Sequence, residues 1–194
     1  MRYKSFVLLI IGHSMSGKTT MTNRLRDSGL FSSVVDDDVL RNEHYGGNFS
    51  EMCKVDGEYS LEKDIEVSAP FFWTIPYYLQ EYLKNGSVAL SSTMSASKKD
   101  GLVTWLSSPQ GANIEYCIIR LTANLDEERV LERIEERSGR NDQSPHASFE
   151  AFQKSQSFQT DWPEDFKINE VDTTNQTPEE TCQAILDIIK PFEV

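Results

Sequence analysis

The chain has 194 residues, with 31 Asp and Glu against 19 Lys and Arg, a net charge of -12 and 38% hydrophobic residues. That length suits a single domain, residues 1–194, with a full-size core. The acidic balance excludes a broad basic surface for extended duplex nucleic acid but leaves room for a small basic pocket. No apolar run reaches membrane-spanning length, so no membrane partner and a cytoplasmic setting are expected. Cys53, Cys117 and Cys182 are too few and too scattered for a zinc or disulfide framework.

The elements alternate. Residues 6–11 (Phe-Val-Leu-Leu-Ile-Ile) form a short apolar run with β-branched members, the pattern of a strand buried on both faces. It ends in Gly-His-Ser-Met-Ser-Gly-Lys-Thr at 12–19, which is G-x-x-x-x-G-K-[ST] without a mismatch. A helix carrying Met21 and Leu25 follows, with Gly29 as its C-terminal cap. Residues 33–36 read as a second strand that runs into Asp36-Asp37-Asp38. Residues 42–59 show no period and are expected to be a loop or insert. Residues 60–85 are expected to be helical, broken or kinked by Pro70 and Pro76. Residues 87–91 are a third strand. Ser97 to Asp100 resembles a capping box opening a helix with Leu102, Val103 and Leu106 inside. Residues 114–121 are a fourth strand. Asn124 is expected to cap the next helix, with Glu127 at its third helical position and Val130, Leu131 and Ile134 facing the core. A polar loop at 139–146, a short helix with Phe149 and Phe152 and a weaker fifth strand at 166–172 come next. Thr177, Pro178 and Glu180 then open a last helix, which buries Ile185, Ile188 and Ile189 and stops at Pro191. This alternation predicts an α/β fold of the three-layer P-loop NTPase kind. It has a central parallel sheet of about five strands with helices on both faces.

The glycine loop has a mechanical reading. Gly12 and Gly17 let the backbone turn so that successive N–H groups, those of Ser14 and Ser16 among them, converge on one anion. Lys18 brings charge to the outer phosphates, Thr19 can place its hydroxyl on Mg2+, and Thr20 lies in the first turn of a helix whose positive end faces the same phosphates. His13 is expected only to point outward. His44 and His146 lack partners at ligand spacing.

Asp36, Asp37 and Asp38 stand at the end of the second strand, where ligands bind in open parallel sheets. A carboxylate there can accept a proton from an attacking hydroxyl or help hold Mg2+. An acidic turn with a helix cap has the same composition. If the chain turns helical after Asp37, Asp38 and Arg41 share a face, and Arg41 can hold substrate or steady Asp38. Arg129, Arg133 and Arg137 recur every fourth residue, and Arg140 follows. The last of these sit where a mobile arginine could meet a transferred phosphoryl group; Arg129 reads as part of a solvated face. The aromatic stretch 71–78 reads either as core packing or as a stacking surface for a base or sugar.

The glycine loop, the D-x-x-R element Asp38–Arg41, the arginines 133, 137 and 140 and the Phe-rich segment leading to Asp172 occur here in one order. That order resembles small P-loop kinases related to polynucleotide 5′-hydroxyl kinase and the zeta-toxin group, over nearly the whole chain. The resemblance implies ATP with Mg2+ as cofactors and a hydroxyl-bearing acceptor: a nucleoside, nucleotide, nucleic-acid 5′ end or other small molecule. It implies Asp38 as general base, Arg41 and Asp36 at the substrate, and a lid over about 133–146 with Arg137 and Arg140 catalytic and Arg133 on the nucleotide. The chain departs from that pattern at Ser92, where relatives commonly carry aspartate, so either Asp36 or Asp37 completes the metal shell with Thr19 or that role is absent. The departure keeps open a second function: a nucleotide-dependent switch, or an NTP hydrolase with little phosphotransfer.

Overall fold

The computed structural model describes residues 5–94, 96–138, 149–156 and 161–193, apart from the side chains at 59, 61, 97, 136–138, 151, 154 and 155. Strand β1, Phe6–Gly12, is buried along its whole length. Helix α1, Lys18–Ser28, leads to β2, Ser33–Asp36, and α2, Asp37–His44. The short α3, Phe49–Met52, precedes a hairpin of β3, Lys54–Val55, and β4, Glu58–Tyr59. Helices α4, Leu61–Phe72, and α5, Ile75–Leu83, lead to β5, Val88–Ser92. Then come α6, Ala96–Leu106, β6, Glu115–Thr122, α7, Glu127–Ser138, α8, Phe149–Gln156, β7, Ile168–Asp172, and α9, Pro178–Ile189.

Five strands form one parallel sheet in the order β2-β5-β1-β6-β7. The period of two in β1 divides the core. Val7, Leu9 and Ile11 face one cluster with Phe71, Ile75, Leu79 and Leu102, from α4, α5 and α6. Phe6, Leu8 and Ile10 face the other with Met21, Leu25, Ile185 and Ile189, from α1 and α9. The three-layer α/β architecture expected from the sequence is therefore present. Because every strand is parallel to its neighbours, all five carboxyl ends lie on one edge of the sheet.

Several local expectations are corrected. The stretch 42–59 is not a structureless loop. Helix α2 runs to His44, and the hairpin turns on Asp56 and Gly57, both at positive φ (52° and 86°), the Asp-Gly signature of a tight turn. The helical break falls at residues 73–74, not at Pro70, which sits in the last turn of α4; Pro76 opens α5 instead. Helix α6 starts at Ala96, so Ser97 lies inside its first turn and does not cap it. Asp126, not Asn124, caps α7, accepting the Arg129 N–H at 2.9 Å, while the Asn124 N–H goes to Thr174. Leu131 is 47% exposed, because the core-facing stripe of α7 passes through Val130 and Ile134. The box that opens α9 matches expectation, with Thr177 and Glu180 satisfying each other's backbone N–H.

Candidate active site

The glycine loop follows the central strand. A Cβ at Gly12 would lie 2.5 Å from both the Leu121 carbonyl oxygen and Ser16 Oγ, so only glycine fits where β1 passes β6. Gly17 has φ 91° and begins α1 with no side-chain cap, whereas α2, α4 and α9 are each closed by a capping side chain. The first N–H groups of α1 are thus left for an anion. Ser16 Oγ is buried and has no hydrogen-bond partner among the described residues, Ser14 is buried beside it, and Thr19 and Thr20 are exposed. These features fit a bound phosphate with a cation at the Thr19 hydroxyl. Lys18 Nζ donates to the His13 carbonyl at 2.7 Å. Burial pushes its ammonium down to about 8, against the pull of Asp38, Asp37 and Asp36.

His13 does not point outward as expected. Its ring is buried, its Nε2 accepts the Ala123 N–H at 3.1 Å, and its Nδ1 meets the Ser14 carbonyl. An acceptor at Nε2 places the proton on Nδ1. Burial, with help from Lys18 and Arg133, holds this imidazole below the usual histidine value. Two more contacts join the loop to the far strands. Thr173 Oγ1, just past β7, donates to the Ser16 carbonyl at 3.1 Å, and Arg133 donates to the Met15 carbonyl at 2.5 Å. Met15 itself has φ 64° and is buried with Ala123, Leu125, Val130 and Phe152. A cavity of about 270 Å³ opens beside His13, bounded by Asn124, Gln156 and Asp172.

The acidic cluster is not a plain acidic turn. Asp36 accepts the Asp38 N–H at 3.0 Å, capping α2, and the Ser91 hydroxyl at 2.9 Å. Burial, then the charges of Asp37 and Asp38, raises its carboxyl to about 6. Asp37 is buried between the Ser92 hydroxyl, at 2.7 Å, and the Lys98 ammonium. Exposed Asp38 pairs with Arg41 at 2.6 Å, the contact expected for one helix face. Arg41 also donates to Asp64 at 3.0 Å and Ser68 at 2.8 Å, and its guanidinium lies 4.0 Å from the Phe49 ring centroid. Oxygens of the three aspartates lie within 4.8 Å of one another. Lys98, Asp64, Thr173 and the inward role of His13 are not singled out by the sequence pattern; each depends on a partner from a distant element.

The structure brings Gly12, Ser14, Ser16, Gly17, Lys18, Thr19, Asp36, Asp38 and Arg41 to the carboxyl edge of the sheet. Arg133 reaches this edge on the P-loop backbone. Arg137 lies on α7, but its side chain is outside the described set, as are Arg140, His146 and most of the expected lid. Arg129 holds the loop after β7 through Thr174 and Asn175. The aromatic stretch divides: Phe71 and Phe72 are core, while Trp73 and Tyr77 are 60% and 63% exposed. Among the described residues no helix is long and apolar enough to cross a membrane.

No protein-family model matches the chain, and no curated protein matches it. Solved structures do. A protein of Chloroflexus aurantiacus assigned as a kinase superposes with TM-score 0.65 at 17% identity, over 97% of this chain and 98% of the other. A gluconokinase from Sinorhizobium meliloti gives TM-score 0.62 at 17% identity over 98% and 94%. The Mycobacterium tuberculosis APS kinase, solved with AMPPNP and APS, gives 0.60 at 15% identity over 97% and 99%. The fold is the P-loop kinase fold. These likenesses span the full chain, so the glycine loop stands in the architecture its motif requires.

Proposed function

We propose that the protein transfers the γ-phosphoryl group of ATP to a hydroxyl acceptor. The observation that carries this reading is the placing of Asp38. It is an exposed carboxylate oriented by Arg41, on the sheet edge that also holds the uncapped, glycine-built phosphate loop. β2 and β1 both run parallel to β5, so the loop and Asp38 lie on the same edge of the sheet.

In this reading the loop N–H groups and Lys18 hold the phosphates. The acceptor oxygen attacks the γ-phosphorus as its proton passes to the Asp38 carboxylate. The bond from the γ-phosphorus to the bridging oxygen breaks, and ADP leaves with that oxygen. Thr19 and Asp36 would hold Mg2+, which when bound supplies charge neutralisation along the phosphates. Arg137 and Arg140 would close over the transferred group as a lid. The acceptor is a nucleoside, a nucleotide, a nucleic-acid 5′ end or another hydroxyl-bearing small molecule. The acidic surface supports a small acceptor or a single-stranded end over an extended duplex.

A second reading, a nucleotide switch or hydrolase, is favoured by Ser92, which places a hydroxyl where the resemblance to small P-loop kinases implies a carboxylate. Labelled ATP offered with and without an acceptor library separates the two. Label appearing on an acceptor supports transfer. Label released only as inorganic phosphate, or retained on ATP throughout, overturns it.

A further inference from the structure

Lys98 is 5% exposed, an uncommon place for an ammonium. It lies on α6, 4.7 Å from the Phe72 ring centroid, and its carboxylate partner is Asp37. A buried ammonium is tolerated when such a pair is close and well bonded. Asp37 meets that need with a second donor, the Ser92 hydroxyl at the end of β5. A carboxylate therefore does stand at the end of β5, although the strand itself ends in serine. It arrives from the first turn of α2.

The three aspartates differ in what faces them. Asp37 faces Lys98, and Asp38 faces Arg41. Among the described residues, the hydrogen bonds to Asp36 come only from the neutral donors Ser91 Oγ and the Asp38 N–H, while the Lys18 charge acts on all three aspartates alike in sign. The spacing of their oxygens, within 4.8 Å, suits a divalent cation. Two of the three, however, already face a cation of the chain. A divalent ion sharing Asp37 would sit against the Lys98 ammonium where little water screens the repulsion.

We infer that Lys98 is a positioning residue. It fixes Asp37 as a buried carboxylate beside Ser92 and keeps it out of the divalent-ion shell, leaving Asp36 as the cluster's metal-facing carboxylate. This deepens the proposed phosphotransfer and rests on it only for the presence of an ion with the nucleotide.

The test is Mn2+ binding, followed by electron paramagnetic resonance on the nucleotide-free protein. Lys98→Met should tighten Mn2+ binding by roughly tenfold or more, because it frees Asp37 and removes a repelling charge. Lys98→Arg should bind as the wild type does, and Lys98→Met combined with Asp37→Asn should lose the gain. A folded Lys98→Met with no gain overturns the inference, as does a gain that persists in the double variant. The double variant contains neither buried charge and should fold where the single one fails. Its affinity for Mn2+ with ATP should equal that of the wild type; a tenfold loss shows that Asp37 is a ligand and overturns the inference. None of these measurements needs turnover. A wild type that transfers no phosphate while the Mn2+ results hold removes the proposed activity and leaves the role of Lys98 intact.

Discussion

The Nε2 of His13 accepts the backbone N–H of Ala123 at 3.1 Å, joining the phosphate loop to the end of β6. The two residues are 110 positions apart, and the bond needs a neutral ring. The folded-state pKa of His13 lies below 6.5. As pH falls through 6.5 the unfolded chain binds a proton that the folded chain resists, so stability is lost on acidification. Urea unfolding at pH 7.0 and 5.5 should show a smaller acid loss in His13→Asn than in the wild type. Equal losses would show that the ring does not report on folding.

Lys18 should titrate in the opposite range. Its folded pKa is about 8 against an ordinary 10.5. Between those values the unfolded chain binds more protons, so stability of the nucleotide-free protein should rise with pH across that window. At pH 7 both states are protonated and the burial cost is fully present. Lys18→Met should therefore stabilise the nucleotide-free protein by about 1 kcal/mol at pH 7 and flatten the rise. The same change should lower phosphotransfer by about 10³-fold or more, since a charge on the transferred group is lost. A mutant with wild-type turnover would remove Lys18 from the chemistry.

Asp38→Asn keeps the shape of the side chain and removes its capacity to take a proton. Transfer should fall by about 10²–10⁴-fold, with a much smaller change in ATP affinity. Steady-state kinetics beside a nucleotide titration checks this. If Asp38→Asn turns over at the wild-type rate, the base is not Asp38.

Gly12→Ala should destabilise the fold by about 1–3 kcal/mol. The new methyl would meet the Leu121 carbonyl and Ser16 Oγ at 2.5 Å, and the first of these is backbone that cannot rotate away. Nucleotide affinity should fall with stability, because the loop must shift. Chemical denaturation and nucleotide titration together give the answer, and an unperturbed mutant would contradict the close approach of Gly12 to Leu121 at the end of β1 and β6.

What was legible in the sequence was local. The run Phe6–Gly12, the glycine spacing and the Thr177–Glu180 box each specify structure within a few residues, so strand, loop and cap follow directly. Asp38 and Arg41, one helical turn apart, belong to the same class. The hairpin inside the insert escaped because its strands are two residues long, too short for a period, although Asp56-Gly57 carried the turn signal. Lys98 escaped for a different reason. In sequence it is one charge in Ser-Lys-Lys-Asp, a pattern that reads as a solvated helix start. Its carboxylate lies 61 residues away, in the first turn of α2, and becomes its partner only when α6 packs against α4 and α5. The same holds for Arg41 with Asp64, and for Thr173 with the Ser16 carbonyl. Contacts between elements are decided by packing, and packing leaves no periodic trace in a single sequence.

Met15 is pulled two ways. Its backbone is left-handed, at φ 64°, which a side chain with a Cβ resists by about 1–2 kcal/mol. Its side chain is 3% exposed and fills the small core between the loop, α7 and α8. Glycine there would relieve the backbone and leave a hole costing about 2–5 kcal/mol. Asparagine tolerates the left-handed turn but would bring a polar amide into an apolar pocket. Position 15 is the variable third x of a motif written as if any residue would serve. In this chain the tertiary structure has turned that wildcard into a fixed letter, so a sequence pattern that treats it as free will overstate how many substitutions the loop accepts.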